Sequence, residues 1–167
     1  MEDDDLFQQA MRGVARLPRG HGVVRGRPGA RAKRRTPERA PRFEVEKYGE
    51  RVEALGVGVE RHHLRALERG EVQIDRRVDL HGLSADEAAG VVANALSAAR
   101  AASERCLLII HGRGLRSPAA PVLKEAVVDW LTSPPWANHI LAFITAPQDR
   151  GGGGALLVLL RQGRERK

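Results

Sequence analysis

The stretch Val78-Asp79-Leu80-His81-Gly82, with its echo Ile109-Ile110-His111-Gly112-Arg113-Gly114, decides the fold. Each is a short apolar run that stops at His-Gly. After the first comes Ser84-Ala85-Asp86-Glu87, a Ser-x-x-Glu capping box that opens a long Ala/Val/Leu-rich helical pattern. After the second, Ser117-Pro118 reads as an N-cap with proline at the first helical position, followed by another amphipathic run. Strand, His-Gly turn and helix therefore occur twice. Two parallel strands joined by a helical crossover bring their C-terminal ends side by side, where ligands of open α/β sheets bind. Asp79, His81 and His111 are expected to converge on that edge.

Outward from these turns, the pattern predicts strand Val78–Leu80, helix Ser84–Ala102, strand Cys106–Ile110, helix Pro118–Leu131, strand Ile140–Ala146 and strand Leu156–Arg161. The first helix is expected to bury Ala88, Val91, Val92, Ala95, Leu96 and Ala99. The second is expected to bury Val122, Leu123, Ala126, Val127, Trp130 and Leu131, and to end at Pro134-Pro135, which cannot continue it. The result is an α/β two-layer sandwich with a β-α-β-α-β-β core, its helices on one sheet face. This body is assigned to residues 76–163. Before it, residues 43–75 read as a mixed segment interrupted by Gly49, Gly56 and Gly58. Its one helical pattern is Val59–Arg69, stopped by Gly70.

The charge belongs elsewhere. Of the net +7, residues 1–43 hold +6, from eleven basic and five acidic side chains. Within them, residues 1–17 space Leu6, Phe7, Ala10, Met11, Val14 and Leu17 along one helical face. Residues 18–42, rich in Gly, Pro and Arg, read as a disordered basic tether, an electrostatic handle for a polyanion. Lacking the apolar face of a membrane-surface helix, the tether points to nucleic acid rather than a bilayer. Of the cysteines there is one, Cys106, set in an apolar run, which leaves no disulfide framework and no zinc set. An acidic start, Met1-Glu2-Asp3-Asp4-Asp5, does not suit a signal peptide, and the expected location is the cytoplasm.

Chemistry is sought at the strand ends. Asp79 and His81 alternate along a strand and share a face, so the carboxylate can fix the imidazole tautomer, as a general acid/base requires. At His111-Gly112-Arg113-Gly114, two glycines let backbone amides approach an anionic oxygen, and Arg113 offers a bidentate phosphate contact, with Arg116 close behind. The loop from Pro147 to Gly154 adds Arg150 and the unhindered amides of Gly152 and Gly154. His62 and His63 are adjacent on a helix, about 100° apart, and make a poor chelate. No metal ligand set and no cofactor is read in the sequence.

VDLHGLSADEA, then HGRG, then Gly151-Gly152-x-Gly154-Ala155 before a Leu/Val strand, resembles the Smr (small MutS-related) domain in order and spacing. The resemblance covers about residues 71–161. HGRGLRSP, VLKEAVVDWL and AFITAPQDRGGGGALLVLL are similar to the stand-alone proteobacterial branch, which includes ribosome-rescue endonucleases. DLFQQAMRGV and LRALERGEVQID are similar to that branch too. The resemblance implies nucleic-acid endonuclease activity or binding. It places Asp79, His81, Gly82 and the HGRG turn on the active edge, with Gly151 to Ala155 as a third wall. No Walker A sequence precedes the domain, so mismatch-repair ATPase chemistry is not supported.

The expected function is therefore an endoribonuclease acting on mRNA at ribosomes, with RNA favoured over DNA and residues 1–42 recruiting it. One of His81 and His111 would take a 2′-hydroxyl proton while the other protonates the leaving oxygen, with Arg113, Arg116 and glycine amides steadying the phosphorane. A structure-sensitive DNA nickase and a non-enzymatic nucleic-acid or ribosome-binding adaptor are the alternatives. Oligomeric state is not legible.

Overall fold

The structure, a computed structural model, describes residues 42–113 and 120–162. Its elements run β1 (Phe43–Tyr48), β2 (Arg51–Gly56), α1 (His62–Glu68), β3 (Arg76–Asp79), α2 (Ala85–Ala101), β4 (Cys106–Ile110), α3 (Ala120–Thr132), β5 (Ile140–Thr145) and β6 (Ala155–Leu160). One six-stranded sheet has the order β1-β2-β5-β6-β4-β3. The β3/β4 pair is parallel, Asp79 opposite Ile110, and every other pair is antiparallel. The expected α/β sandwich is present, and the repeated strand-turn pattern does place β3 beside β4.

Local chemistry explains the elements. The Ser84 hydroxyl accepts from the Glu87 N–H, and the Glu87 carboxylate accepts from the Ser84 N–H at 2.9 Å, so α2 starts on a complete capping box. Those bonds hold the Glu87 carboxyl below the usual carboxylate range, with the Ser84 backbone bond the largest cause. α2 buries Ala88, Val92, Leu96 and Ala99, while Val91 is exposed. α3 buries Leu123, Val127, Val128 and Leu131, while Val122 is exposed. In both helices the buried stripe is narrower than the sequence reading, because a helix lying on a flat sheet covers less than its whole apolar arc.

The core has two parts. Under α2 and α3 lie Val78, Leu80, Leu107, Ile109, Phe143, Leu156, Val158 and their neighbours. On the other face, Leu108, Ala142, Ile144, Leu157 and Leu159 pack with Leu64 and Leu67 of α1. The short α1 therefore caps the second face, which the sequence reading left bare. Residues 43–56, read from sequence as an irregular segment, form the β1–β2 hairpin. The two strands meet around a two-residue loop at Gly49-Glu50, with Tyr48 paired to Arg51. Phe43 anchors the hairpin to the core, its ring 6.3 Å from that of Phe143.

β6 is buried along all six residues and sits between β4 and β5. Cys106, on β4, is fully buried, and desolvation with the neighbouring Asp75 charge pushes its thiol up to about 11.

Candidate functional site

Asp79 ends β3 facing away from Val78 and Leu80, which are in the core beneath α2 and α3. Its Oδ1 accepts from the His81 backbone N–H at 3.0 Å and meets His81 Nδ1 at 2.7 Å. The backbone bond from His81, then the side-chain bond, holds the Asp79 carboxyl below the usual carboxylate range. A carboxylate in that state only accepts, so Nδ1 carries a proton, and Nε2 has no hydrogen-bond partner among the described residues. Both side chains are open to solvent, His81 at 77% and Asp79 at 52%, so a bulky polymer can reach them. After His81, Gly82 turns the chain with φ at +77°, in the left-handed region that side chains avoid.

The turn beside it is built on Gly112, with φ at +86°. β3 and β4 are adjacent and parallel, and the Leu80 N–H donates to the Ile110 carbonyl at 2.7 Å, so the two turns leave neighbouring strand ends. The N–H groups of His111 and Gly112 both donate to the Gly154 carbonyl, at 2.9 and 3.0 Å. This ties the β4 turn to the glycine-rich segment before β6. Arg113 lies across that segment. A Cβ on Gly152 would fall 2.6 Å from Arg113 Nη2, and one on Gly154 would fall 3.1 Å from Arg113 Cγ. Arg113 Nη2 donates to Gln148 Oε1 at 3.1 Å. Glycine at 152 and 154 therefore makes room for a guanidinium that remains exposed.

The sheet does not bring the two imidazoles together. Asp79 is paired opposite Ile110, which packs on the α1 side, so strand alternation puts His111 on the α2–α3 side. His111 is 2% exposed. Its Nδ1 donates to the Gly112 carbonyl at 2.9 Å, and Nε2 has no hydrogen-bond partner among the described residues. Desolvation is the main cause that pushes its pKa below the ordinary imidazole value. The enclosed ring braces the turn.

Arg150 is also committed elsewhere. Its guanidinium donates to the Gly70 carbonyl at 3.2 Å and the Val72 carbonyl at 3.4 Å, which turns it away from the Arg113 surface. Gly114 and Arg116, with the Ser117-Pro118 cap, lie outside the described residues. His62 and His63 stack with ring centroids 3.9 Å apart, and His62 Nδ1 pairs with Glu60 at 3.0 Å. Among the described residues no three His, Cys, Asp or Glu side chains are grouped as a metal cage. Gln148, which orients Arg113, carries no signal in the sequence, because its partner lies 35 positions away.

The Smr domain model matches residues 78–161. The chain is 34% identical over 104 residues to Ribosome rescue factor SmrB of Tolumonas auensis, covering 62% of this chain and 55% of that protein. It is 36% identical over 106 residues to Ribosome rescue factor SmrB of Shewanella oneidensis, covering 64% and 56%. The chain thus spans about half the length of these relatives. The crystal structure of YdaL, a stand-alone small MutS-related protein from Escherichia coli, superposes with a TM-score of 0.58 at 29% identity. That superposition covers 66% of this chain and 82% of YdaL. With half of its length matched from β3 to the residue after β6, the chain belongs to the Smr domain family.

Proposed function

We infer that the chain is a nucleic-acid endonuclease that cleaves single-stranded RNA, with mRNA on the ribosome as its target. One observation carries the reading. The Asp79–His81 pair stands open at a sheet end, its Nε2 without a partner among the described residues, one strand from the turn that carries exposed Arg113. The name shared by the SmrB relatives supports the ribosome as the setting, and the basic tether of residues 18–42 supplies attraction to a polyanion.

In this reading His81 Nε2 accepts the 2′-hydroxyl proton as that oxygen attacks the adjacent phosphate. Asp79 holds the ring in the productive tautomer and stabilises the imidazolium that forms. Arg113 neutralises charge on the phosphorane oxygens. His111 enters as a brace for Gly112. The departing 5′-oxygen takes its proton from water. Metal is not called for, since Asp79 is already bonded twice to His81 and has no neighbouring carboxylate in the same turn.

An RNA oligonucleotide carrying a single 2′-deoxy nucleotide at the cleaved position tests this directly. Cutting in EDTA that stops with the deoxy substitution is the expected result. Equal cutting of DNA with a strict need for Mg²⁺ overturns it.

A further inference from the structure

On the same sheet end, the start of β2 and the end of β5 frame a cleft of about 300 Å³ that the mechanism above does not use. Its floor is apolar, from Ile144, Ala146 and Pro147, and its rim is polar, from Glu50, Arg51, Glu68 and Gln148. Ile144 belongs to the α1 face, the side on which Asp79 also stands. The cleft adjoins the cleavage surface through Gln148, whose Oε1 holds Arg113. The order β5-β6-β4 sets it two strands from Arg113, about 10 Å at strand spacing.

Arg51 is paired with Glu53 and Glu68, so the rim charge left to meet a ligand is the Glu50 carboxylate, which repels a second phosphate, while an apolar floor suits a ring. A nucleobase meets both conditions. The unspent polar groups say which one. Glu68 is held by Arg51 at 2.6 Å. Among the described residues, the Glu50 carboxylate and the Gln148 amide nitrogen have no hydrogen-bond partner. Both side chains reach the same short segment: a Cβ on Gly153 would lie 2.9 Å from Glu50 Oε2, and one on Gly152 would lie 2.9 Å from Gln148 Oε1. Both line the cleft, and together they offer amide N–H donors and a two-oxygen acceptor. Guanine presents the complement, O6 beside N1–H and N2–H. Uracil, cytosine and adenine each lack the two adjacent donors.

We propose that this cleft is a guanine-reading subsite next to the scissile phosphate, with Glu50 as its specificity-determining residue. The proposal rests on the endonuclease reading and sharpens it to a substrate preference. Losing a hydrogen bond to a charged acceptor weakens recognition by roughly tenfold or more. The test uses the full chain on uridine-rich RNAs with one guanosine, inosine or adenosine. Cleavage should cluster beside guanosine and slow roughly tenfold with inosine, which lacks the 2-amino group. Glu50→Gln should bring the guanosine-to-inosine ratio to about one. Equal rates for all three bases overturn the subsite and leave the nuclease standing. If no RNA is cut, the nuclease reading falls, and guanosine monophosphate titrated against the amide spectrum decides the cleft. Shifts at Thr145 to Gln148 and Gly153, weaker with inosine monophosphate, sustain it. Their absence overturns it.

Discussion

Asp79 shows how far a two-residue spacing can be read. On a strand, positions 79 and 81 share a face, and that is enough to pair a carboxylate with an imidazole. The structure adds that one oxygen takes both His81 bonds, so the ring orientation follows from the backbone turn itself. Asp79→Asn replaces that acceptor with an amide that can present N–H to Nδ1 and so favour the wrong tautomer. Single-turnover cleavage at neutral pH should fall about 10²-fold, with RNA affinity unchanged. His81→Ala removes the proton acceptor and should cost about 10²–10⁴-fold in the same assay, again without loss of binding. His111 was legible as a residue of the turn but not as a buried one. Its burial depends on which face of β4 is turned toward α3, and one strand register reverses that choice.

Among the elements, the hairpin and the Arg150 loop were hardest to foresee. β1 alternates Phe43 and Val45 with glutamates, but Lys47 stands where the third apolar residue would fall, so the alternation that marks a strand is too short to read. The usable sign was Gly49-Glu50 between two six-residue runs. Arg150 looked like a phosphate ligand because it precedes a glycine run. Its two carbonyl partners are 78 and 80 residues distant, a pairing that no local pattern encodes. Arg150→Met should lower stability by about 2 kcal/mol, from hydrogen bonds to a charged donor, while leaving the salt dependence of RNA binding as it was. Urea unfolding and a salt titration separate the two effects. Gly152→Ala should lower both readouts. Its φ of +55° disfavours a side chain and its Cβ meets the ends of Arg113 and Gln148, so melting temperature and cleavage rate should fall together.

Across the whole molecule, burial of imidazoles sets the response to acid. His63, His111 and His139 each lie below the ordinary value of 6.5, with desolvation the leading cause. The unfolded chain therefore binds protons below about pH 6.5 that the folded chain still refuses. Stability is at its full value above that pH and drops as the pH falls toward the lower folded values. His111→Asn keeps a donor for the Gly112 carbonyl but does not titrate, and it should flatten the fall in melting temperature between about pH 7 and 5. The central strands of the sheet and its two long helices were legible because their apolar periods are strong. The basic N-terminal stretch makes a separate prediction: sedimentation with ribosomes should weaken when residues 1–43 are removed, while cleavage of short RNA persists.

The place of β6 has one more consequence. While the polypeptide is still being translated, β3, β4 and β5 exist without the strand that joins β4 to β5. The carbonyl of Gly154 that clamps the β4 turn is missing until then as well. A nascent chain thus holds neither the joined sheet nor the clamped turn until residues 155–160 have emerged.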